Sequence, residues 1–355
     1  MYTLENKRIL VTGGTGSLGK VLIRRLLSGE LGMPKKIIVL SRDEAKQHAM
    51  RVDYLKKARQ DGAESSRKYA DLIDYRIGDV RDFHSVASAL KDVDVVFNAA
   101  ALKQVPACEY FPHQAVLTNI IGPENIVRAI QEHDLPVEIV VGISTDKACK
   151  PVNVMGMTKA LQERVFIQAN MRCPGTRFVC VRYGNVLASR GSVIPLFHEQ
   201  IKHGGPVTIT TTDMTRFLLS LDQAVDTVLA AVREGRRGET YIPRVPSAKV
   251  TDIAALLIGE RPIETVVTGI RPGEKIHEIL VSEEERYRTI ERGRYFVILP
   301  NLPEISDGEG FQPALADEYS SANYVMPAPE LKELFLSHQL LIDDSRKFYE
   351  DEFLR

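Results

Sequence analysis

Thr145, Asp146 and Lys147 place a hydroxyl, a carboxyl and an amine on three consecutive residues. They belong to the run Gly142-Ile143-Ser144-Thr145-Asp146-Lys147-Ala148, directly after an apolar stretch that reads as a strand. At the C-terminal edge of a parallel sheet, where ligands bind in open α/β folds, such a trio can exchange protons with a bound molecule. The plainer alternative is a surface ion pair of little energetic weight. Further on, Met155 and Lys159 are four residues apart and share one helix face.

A second chemistry is phosphate binding. Gly13-Gly14-Thr15-Gly16-Ser17-Leu18-Gly19 has the spacing G-x-x-G-x-x-G between a strand and a helix. One glycine permits the tight turn, one lets the backbone approach a pyrophosphate, and one lets helix and strand pack closely. The helix N-terminus adds N–H donors and a favourable dipole. At the end of the second strand, Ser41 and Arg42 suit a ribose 2′-phosphate, which favours NADP over NAD. The alternative is a solvated Arg42 with Asp43 as the ribose acid. Asp79, followed by Val80, can accept from an adenine amino group or cap the next helix. Ala99, Ala100 and Ala101 leave room for a dinucleotide, or pack tightly.

These residues need a scaffold, and the pattern supplies one. Strands are expected at Arg8–Thr12, Ile37–Leu40, Ile73–Ile77, Val93–Asn98, Glu138–Ile143 and Phe178–Arg182. Helices are expected at Ser17–Leu27, Asp43–Lys57, Gln114–Glu132 and Asn153–Asn170. Alternation of this kind gives an α/β fold, a doubly wound Rossmann sheet whose apolar strands are covered on both faces. Lys56–Asp71 reads as a helix end plus a surface loop. Beyond Arg182 a helix at Asp222–Glu234, a short strand at Thr240–Ile242 and a mainly helical Glu330–Phe348 stand out. The expected division is a dinucleotide-binding domain at 1–182 plus about 218–250. A smaller mixed α/β substrate domain takes about 183–217 and 251–355.

Composition narrows the function classes. The chain has 355 residues, 46 Lys plus Arg against 47 Asp plus Glu, and a net charge of −1. There is no basic excess for general nucleic-acid binding. No apolar run reaches the roughly 18 residues that span a bilayer, and no signal peptide is visible. The four cysteines form no C-x-x-C pair, so no metal site is expected and reduced thiols of a cytoplasmic protein are.

The glycine loop, the STDKA run and Met155-Gly156-Met157-Thr158-Lys159 together resemble the extended short-chain dehydrogenase/reductases. More narrowly, the chain is similar to the soluble UDP-N-acetylglucosamine 4,6-dehydratases of surface-polysaccharide pathways. Further matching runs are Ala99–Pro106, Arg182–Val186, Ser189–Val193, Met214–Phe217 and Arg271–Lys275, so the likeness covers roughly residues 5–285. The tyrosine usual in Tyr-x-x-x-Lys is here Met155, as in the capsule-type (CapE-like) subgroup. A thioether cannot exchange a proton, so the group that takes the C4-hydroxyl proton stays open, with Lys147 or water as candidates.

The resemblance implies oxidation at C4, loss of the C5 proton and the C6 hydroxyl, and reduction at C6, with inversion at C5. Lys147 would be the C5 base, Asp146 the acid at the C6 oxygen, and Thr145 a holder of the C4 oxygen. Lys159 would bind the nicotinamide ribose. A base near pH 7 needs a lowered Lys147 pKa, and the acid a raised Asp146 pKa. Lys103, Asn185, Arg190, Arg216 and Arg271 are the expected contacts to the sugar and diphosphate, and guanidinium groups suit phosphate. Asn119 and Val186 are expected beside the cofactor, Lys103 also lining the cleft. A homo-oligomer, possibly a hexamer, is implied as well. The competing readings are a UDP-sugar 4-epimerase, which needs no C5 base, and a non-catalytic NADP-binding module.

Overall fold

The computed structural model describes residues 2–60, 72–187, 192–306 and 310–342. Arg190 and most of the polar stretch 56–71 lie outside the described residues. The chain alternates β1 (Arg8–Thr12), α1 (Ser17–Leu27), β2 (Lys36–Ser41), α2 (Glu44–Gln60), β3 (Ile73–Ile77), α3 (Phe83–Ala89) and β4 (Val95–Asn98). Then come α4 (Val105–Tyr110), α5 (Pro112–Val116), a π turn (Leu117–Ile121), α6 (Gly122–Glu132), β5 (Ile139–Ile143), a 3₁₀ turn (Asp146–Ala148), α7 (Val154–Arg172) and β6 (Arg177–Val181). The second half holds β7 (Asn185–Val186), α8 (Val193–Lys202), β8 (Val207–Ile209), β9 (Thr215–Leu219), α9 (Leu221–Glu234), β10 (Thr240–Pro243), β11 (Ser247–Lys249) and α10 (Val250–Ile258). It ends with β12 (Thr265–Val267), β13 (Ile279–Val281), α11 (Glu283–Arg286), β14 (Thr289–Arg292), β15 (Tyr295–Ile298), β16 (Tyr319–Ser320) and α12 (Ala328–Ser337).

The main sheet has nine strands in the order β14-β15-β10-β6-β5-β4-β1-β2-β3. All are parallel except the β14–β15 hairpin at the edge. This is the doubly wound α/β architecture that the alternation predicts. Side chains alternate between two cores. Ile9, Val11, Val39, Phe97 and Val141 pack under α1 and α9, and Leu10, Ile38, Val96, Val140 and Phe178 pack under α6 and α7. The order reverses between β1 and β4, so their C-terminal ends open a crevice there. A separate core of Phe197, Ile209, Met214, Ile253, Leu257, Leu331 and Phe335 holds the smaller lobe.

Three expectations are corrected. Thr289–Arg292 and Tyr295–Ile298, assigned with all of 251–355 to the substrate domain, extend the large sheet instead. Gly293, at φ +58, lets the two-residue connection close the hairpin. The helix expected over Gln114–Glu132 is interrupted by the π turn. Pro123 has no N–H to donate to the Asn119 carbonyl, so an unbroken α ladder cannot form there. The helix expected from Glu330 to Phe348 ends at Ser337, and Gln339 turns the chain at φ +53. Residues 343–348 lie outside the described ones.

Candidate active site

A cleft of about 1150 Å³ runs from the glycine loop, past the C-terminal ends of the central strands, to the smaller lobe. Gly13, Thr15, Gly16, Ser17, Leu18 and Gly19 line one end. Gly13 sits at φ +65, and a Cβ there would lie 2.8 Å from the Ala100 backbone. A Cβ on Gly19 would lie 2.5 Å from the Gly14 Cα. The two glycines therefore hold the loop against the end of β4 and α1 against β1. Gly16 caps α1 without any side-chain acceptor, so the first N–H groups of the helix are left for a ligand. The loop fits a dinucleotide diphosphate. Gly13→Ala is expected to weaken cofactor binding and to cost about 1–3 kcal/mol from the left-handed backbone alone. A thermal melt with and without added dinucleotide checks both.

The ribose end is polar. Thr15 Oγ1 and Ser41 Oγ are 2.9 Å apart. Arg42 is half exposed, with Nη1 3.6 Å from Asp79 Oδ2. Asp43 accepts from the Lys46 backbone and pairs with its amine at 2.6 Å, so it serves the start of α2. Asp79 does not cap α3; Asp82 does, accepting from the N–H groups of His84 and Ser85. Burial would raise the Asp79 pKa, but Arg81 and Arg42 outweigh it and lower it. Val80, Ala99, Ala101, Lys103 and Val186 all line the cleft. Asn119 does not. It is fully buried on the π turn, where it accepts from the Leu102 N–H and donates to the Leu102 carbonyl and to Thr158 Oγ1.

The acid–base cluster lies beyond the end of β5. Thr145 caps the 3₁₀ turn that carries Asp146 and Lys147. Asp146 has no exposed surface and stands behind Thr145 and Lys147, which line the cleft. Its Oδ1 accepts from Thr145 Oγ1 at 2.8 Å and from Lys147 Nζ at 3.0 Å, and its Oδ2 has no hydrogen-bond partner among the described residues. Lys147 Nζ also lies 3.2 Å from Glu278 Oε1. Glu278 is a functional candidate that the sequence reading missed. It follows Lys275 by three residues in a polar run, and only the packing of β13 on the 3₁₀ turn brings it to Lys147.

The charges fix the protonation pattern. Burial raises the Asp146 pKa, against the pull of Lys147. This is the direction expected of an acid. Burial works to lower the Lys147 amine, but Asp146 and Glu278 outweigh it and the net shift is upward. The expected lowering of Lys147 is therefore corrected: its two carboxyl neighbours favour the charged amine. Burial pushes Glu278 up as well, but Lys147, Arg216 and Lys275 hold it below the usual range.

Lys159 is fully buried on α7 and its Nζ donates to the Ile143 carbonyl and to Gln162 Oε1, each at 2.8 Å. Burial lowers its pKa to about 8. Met155 packs on Cys108 and Ala115 at the cleft wall. Of the expected substrate contacts, Asn185 and Arg271 line the cleft, and the Asn185 Oδ1 is buried without a partner among the described residues. Arg216 lines it too, but its guanidinium donates to the carbonyls of Thr215, Lys275 and Ile276 and lies 3.9 Å from Glu278. It ties the 271–278 segment in place rather than presenting an open fork.

Comparison with known proteins bears on this site. Residues 9–300 match the family model described as polysaccharide biosynthesis protein. A protein of Methanocaldococcus jannaschii, described as an uncharacterized membrane protein, is 44% identical over 307 residues, covering 83% of this chain and 86% of that one. A Rickettsia prowazekii protein named UDP-glucose 4-epimerase is 41% identical over 344 residues, covering 94% of this chain and 96% of its own. The solved structure of Pen from Bacillus thuringiensis superposes with a TM-score of 0.85 at 35% identity, over 96% of this chain and all of that one. Solved nucleotide-sugar dehydratases and 4-epimerases at 18–22% identity share the fold. Among the described residues no helix is long and apolar enough to cross a membrane. With its family model matched across the Rossmann sheet and the cleft, the chain belongs to the polysaccharide biosynthesis protein family and has the fold that those solved enzymes share.

Proposed function

We propose that the protein is a UDP-N-acetylglucosamine 4,6-dehydratase, inverting at C5, that works with NADP in the cytoplasm for surface polysaccharide synthesis. The observation that carries this reading is Lys147, an amine on the cleft wall held between the buried carboxyls of Asp146 and Glu278. A 4-epimerase has no need of an acid–base pair aimed at C5 and C6. A nicotinamide held along the glycine loop would, when bound, supply reversible oxidation at the sugar carbons. The chain's own residues do the rest. Lys147 must first yield its proton, and Asp146 Oδ1, at 3.0 Å, is the acceptor. The neutral amine then takes the C5 proton next to the C4 ketone. The proton on Asp146 passes through the Thr145 hydroxyl, 2.8 Å away, to the departing C6 hydroxyl. The elimination balances: one C–H and one C–O bond break, a C=C bond forms and water leaves. In this reading Arg271 and Asn185, which line the cleft, would hold the diphosphate and sugar, and Arg42 and Ser41 the 2′-phosphate. Arg190 keeps its proposed phosphate role from sequence alone, as does the homo-oligomer.

The test is proton NMR of the purified protein with UDP-N-acetylglucosamine in heavy water. A C6 methyl signal with deuterium at C5 supports the dehydratase, and the couplings report inversion. A product epimeric at C4 with its C6 hydroxyl intact overturns it. The second reading, a UDP-sugar 4-epimerase, is favoured by the name of the 41% identical Rickettsia protein, and the same spectrum decides between the two. Met155→Ala should retain measurable turnover, within about tenfold of the parent, because a thioether moves no proton. Complete loss with an unchanged melting profile would show that Met155 does more than pack.

A further inference from the structure

Glu278 is built unlike an ordinary core carboxylate. Its backbone is clamped on both sides by Ser321: the Glu278 N–H donates to Ser321 Oγ at 2.9 Å, and the Ser321 N–H donates to the Glu278 carbonyl at 2.8 Å. One carboxylate oxygen, Oε1, faces Lys147 Nζ at 3.2 Å and Arg216 Nε at 3.9 Å. The other, Oε2, is buried and has no donor among the described residues. Leaving an anionic oxygen dry and unpartnered costs several kcal/mol, so such atoms are normally satisfied. The side chain is only 2% exposed, yet it lines the cleft beside Thr145 and Lys147. Water or a ligand hydroxyl in the cleft is the donor that this oxygen lacks.

We propose that Glu278 is a substrate-binding residue of the reaction centre, its Oε2 accepting a hydrogen bond from a hydroxyl of the hexose while its Oε1 holds Lys147 towards the same sugar. This rests on the nucleotide-sugar reading above and adds a third side chain to the Asp146–Lys147 pair. The ligand is identified by chemistry: a hydroxyl-bearing sugar, since a phosphate would meet a carboxylate with repulsion. The diphosphate therefore lies away from Glu278, on the side of Arg271.

The test compares UDP-N-acetylglucosamine with UDP by calorimetry on the parent, Glu278→Gln and Glu278→Asp. The glutamine keeps the shape but loses the charge, and the aspartate keeps the charge but withdraws it from the sugar. Both variants should bind UDP as the parent does. Both should bind the nucleotide sugar about tenfold or more weakly, and in Glu278→Gln turnover should fall further than binding. Equal sugar affinity in parent and both variants overturns the proposal. If one variant fails to fold, as seen by loss of UDP binding, the other decides. A parent that binds the sugar nucleotide but forms no 6-deoxy product sinks the dehydratase reading alone, because the affinity difference at Glu278 is read without turnover. A parent that binds it no tighter than UDP overturns both.

Discussion

Lys147→Gln is expected to lower turnover by at least about a thousandfold while the dinucleotide stays bound. A positioned acid or base contributes typically 10²–10⁴-fold, and Lys147 is the only amine among the described residues that lies between two buried carboxyls on the cleft wall. Stopped-flow or NMR assays on the variant give the rate, and dinucleotide titration the binding. Unchanged turnover would remove Lys147 from the mechanism. Stability should change as well. Removing one partner from a buried ionic cluster costs about 3–5 kcal/mol, because the remaining charges stay uncompensated. Asp146 and Glu278 would then have folded pKa values above their unfolded ones. Stability from such groups is complete below the unfolded pKa and lost as the pH rises through the folded one. The variant should therefore recover stability on mild acidification. A melting series from pH 8 to pH 5 reads that sign directly.

Arg182→Ala is expected to destabilise the fold by about 3–5 kcal/mol. Arg182 is 3% exposed and stands between two carboxylates. Its Nε and Nη2 donate to Glu163 at 3.1 and 2.6 Å, and its Nη1 and Nη2 to Glu285 at 2.8 and 3.0 Å. It also donates to the Leu280 carbonyl, so it fastens β6 to α7, β13 and α11 at once. Burial pushes the Glu285 carboxyl up, but Arg182 outweighs it and holds it at about 2, below the ordinary 4.5. That shift corresponds to about 3 kcal/mol at 1.36 kcal/mol per unit. Because the folded pKa is depressed, this stability is present above about pH 4.5 and is lost as the pH falls towards 2. Urea midpoints of parent and variant should lie closer together at pH 4 than at pH 7, because below about 4.5 the unfolded parent binds the proton that its folded Glu285 does not. A variant with the parent's midpoint at pH 7 would show that the cluster is energetically idle.

Much of the fold was readable because its signals are local. Ile37–Leu40 and, after Glu138, Ile139–Ile143 carry no polar side chain, which fits strands covered on both faces, and both are interior strands of the sheet. The glycine loop was readable because φ and close approach restrict the residue type at Gly13 and Gly19. Asp146 and Lys147 stood out because acid and amine follow a strand end. Glu278 carried no such mark: a glutamate in a polar run has the same look whether it meets solvent or Lys147. Its position is set by the pairing of β13 with β16 and by Ser321, and both β16 and Ser321 are remote from it in sequence. The upward shift of Lys147 follows from Asp146 together with the contact to Glu278. The β14–β15 hairpin lies far along the chain from the other strands of the large sheet, so nothing local to Thr289–Ile298 shows which sheet it joins. Arg216 had the right residue type for phosphate, and its partners turned out to be backbone carbonyls.

The π turn at Leu117–Ile121 acts as a phase shift. Each residue advances an α-helix by about 100°, so one residue more than the α ladder accommodates sets α5 and α6 out of phase with each other. Asn119 sits at the slip, and its rotation towards Leu102 depends on the surplus residue. Removing one residue from 117–121 would rejoin the two helices in phase and swing Asn119 about a quarter-turn or more from its partner. The loop after β4, with Lys103 next to Leu102, would lose its anchor. One residue of length thus sets the angle from which this wall of the cleft meets its ligand.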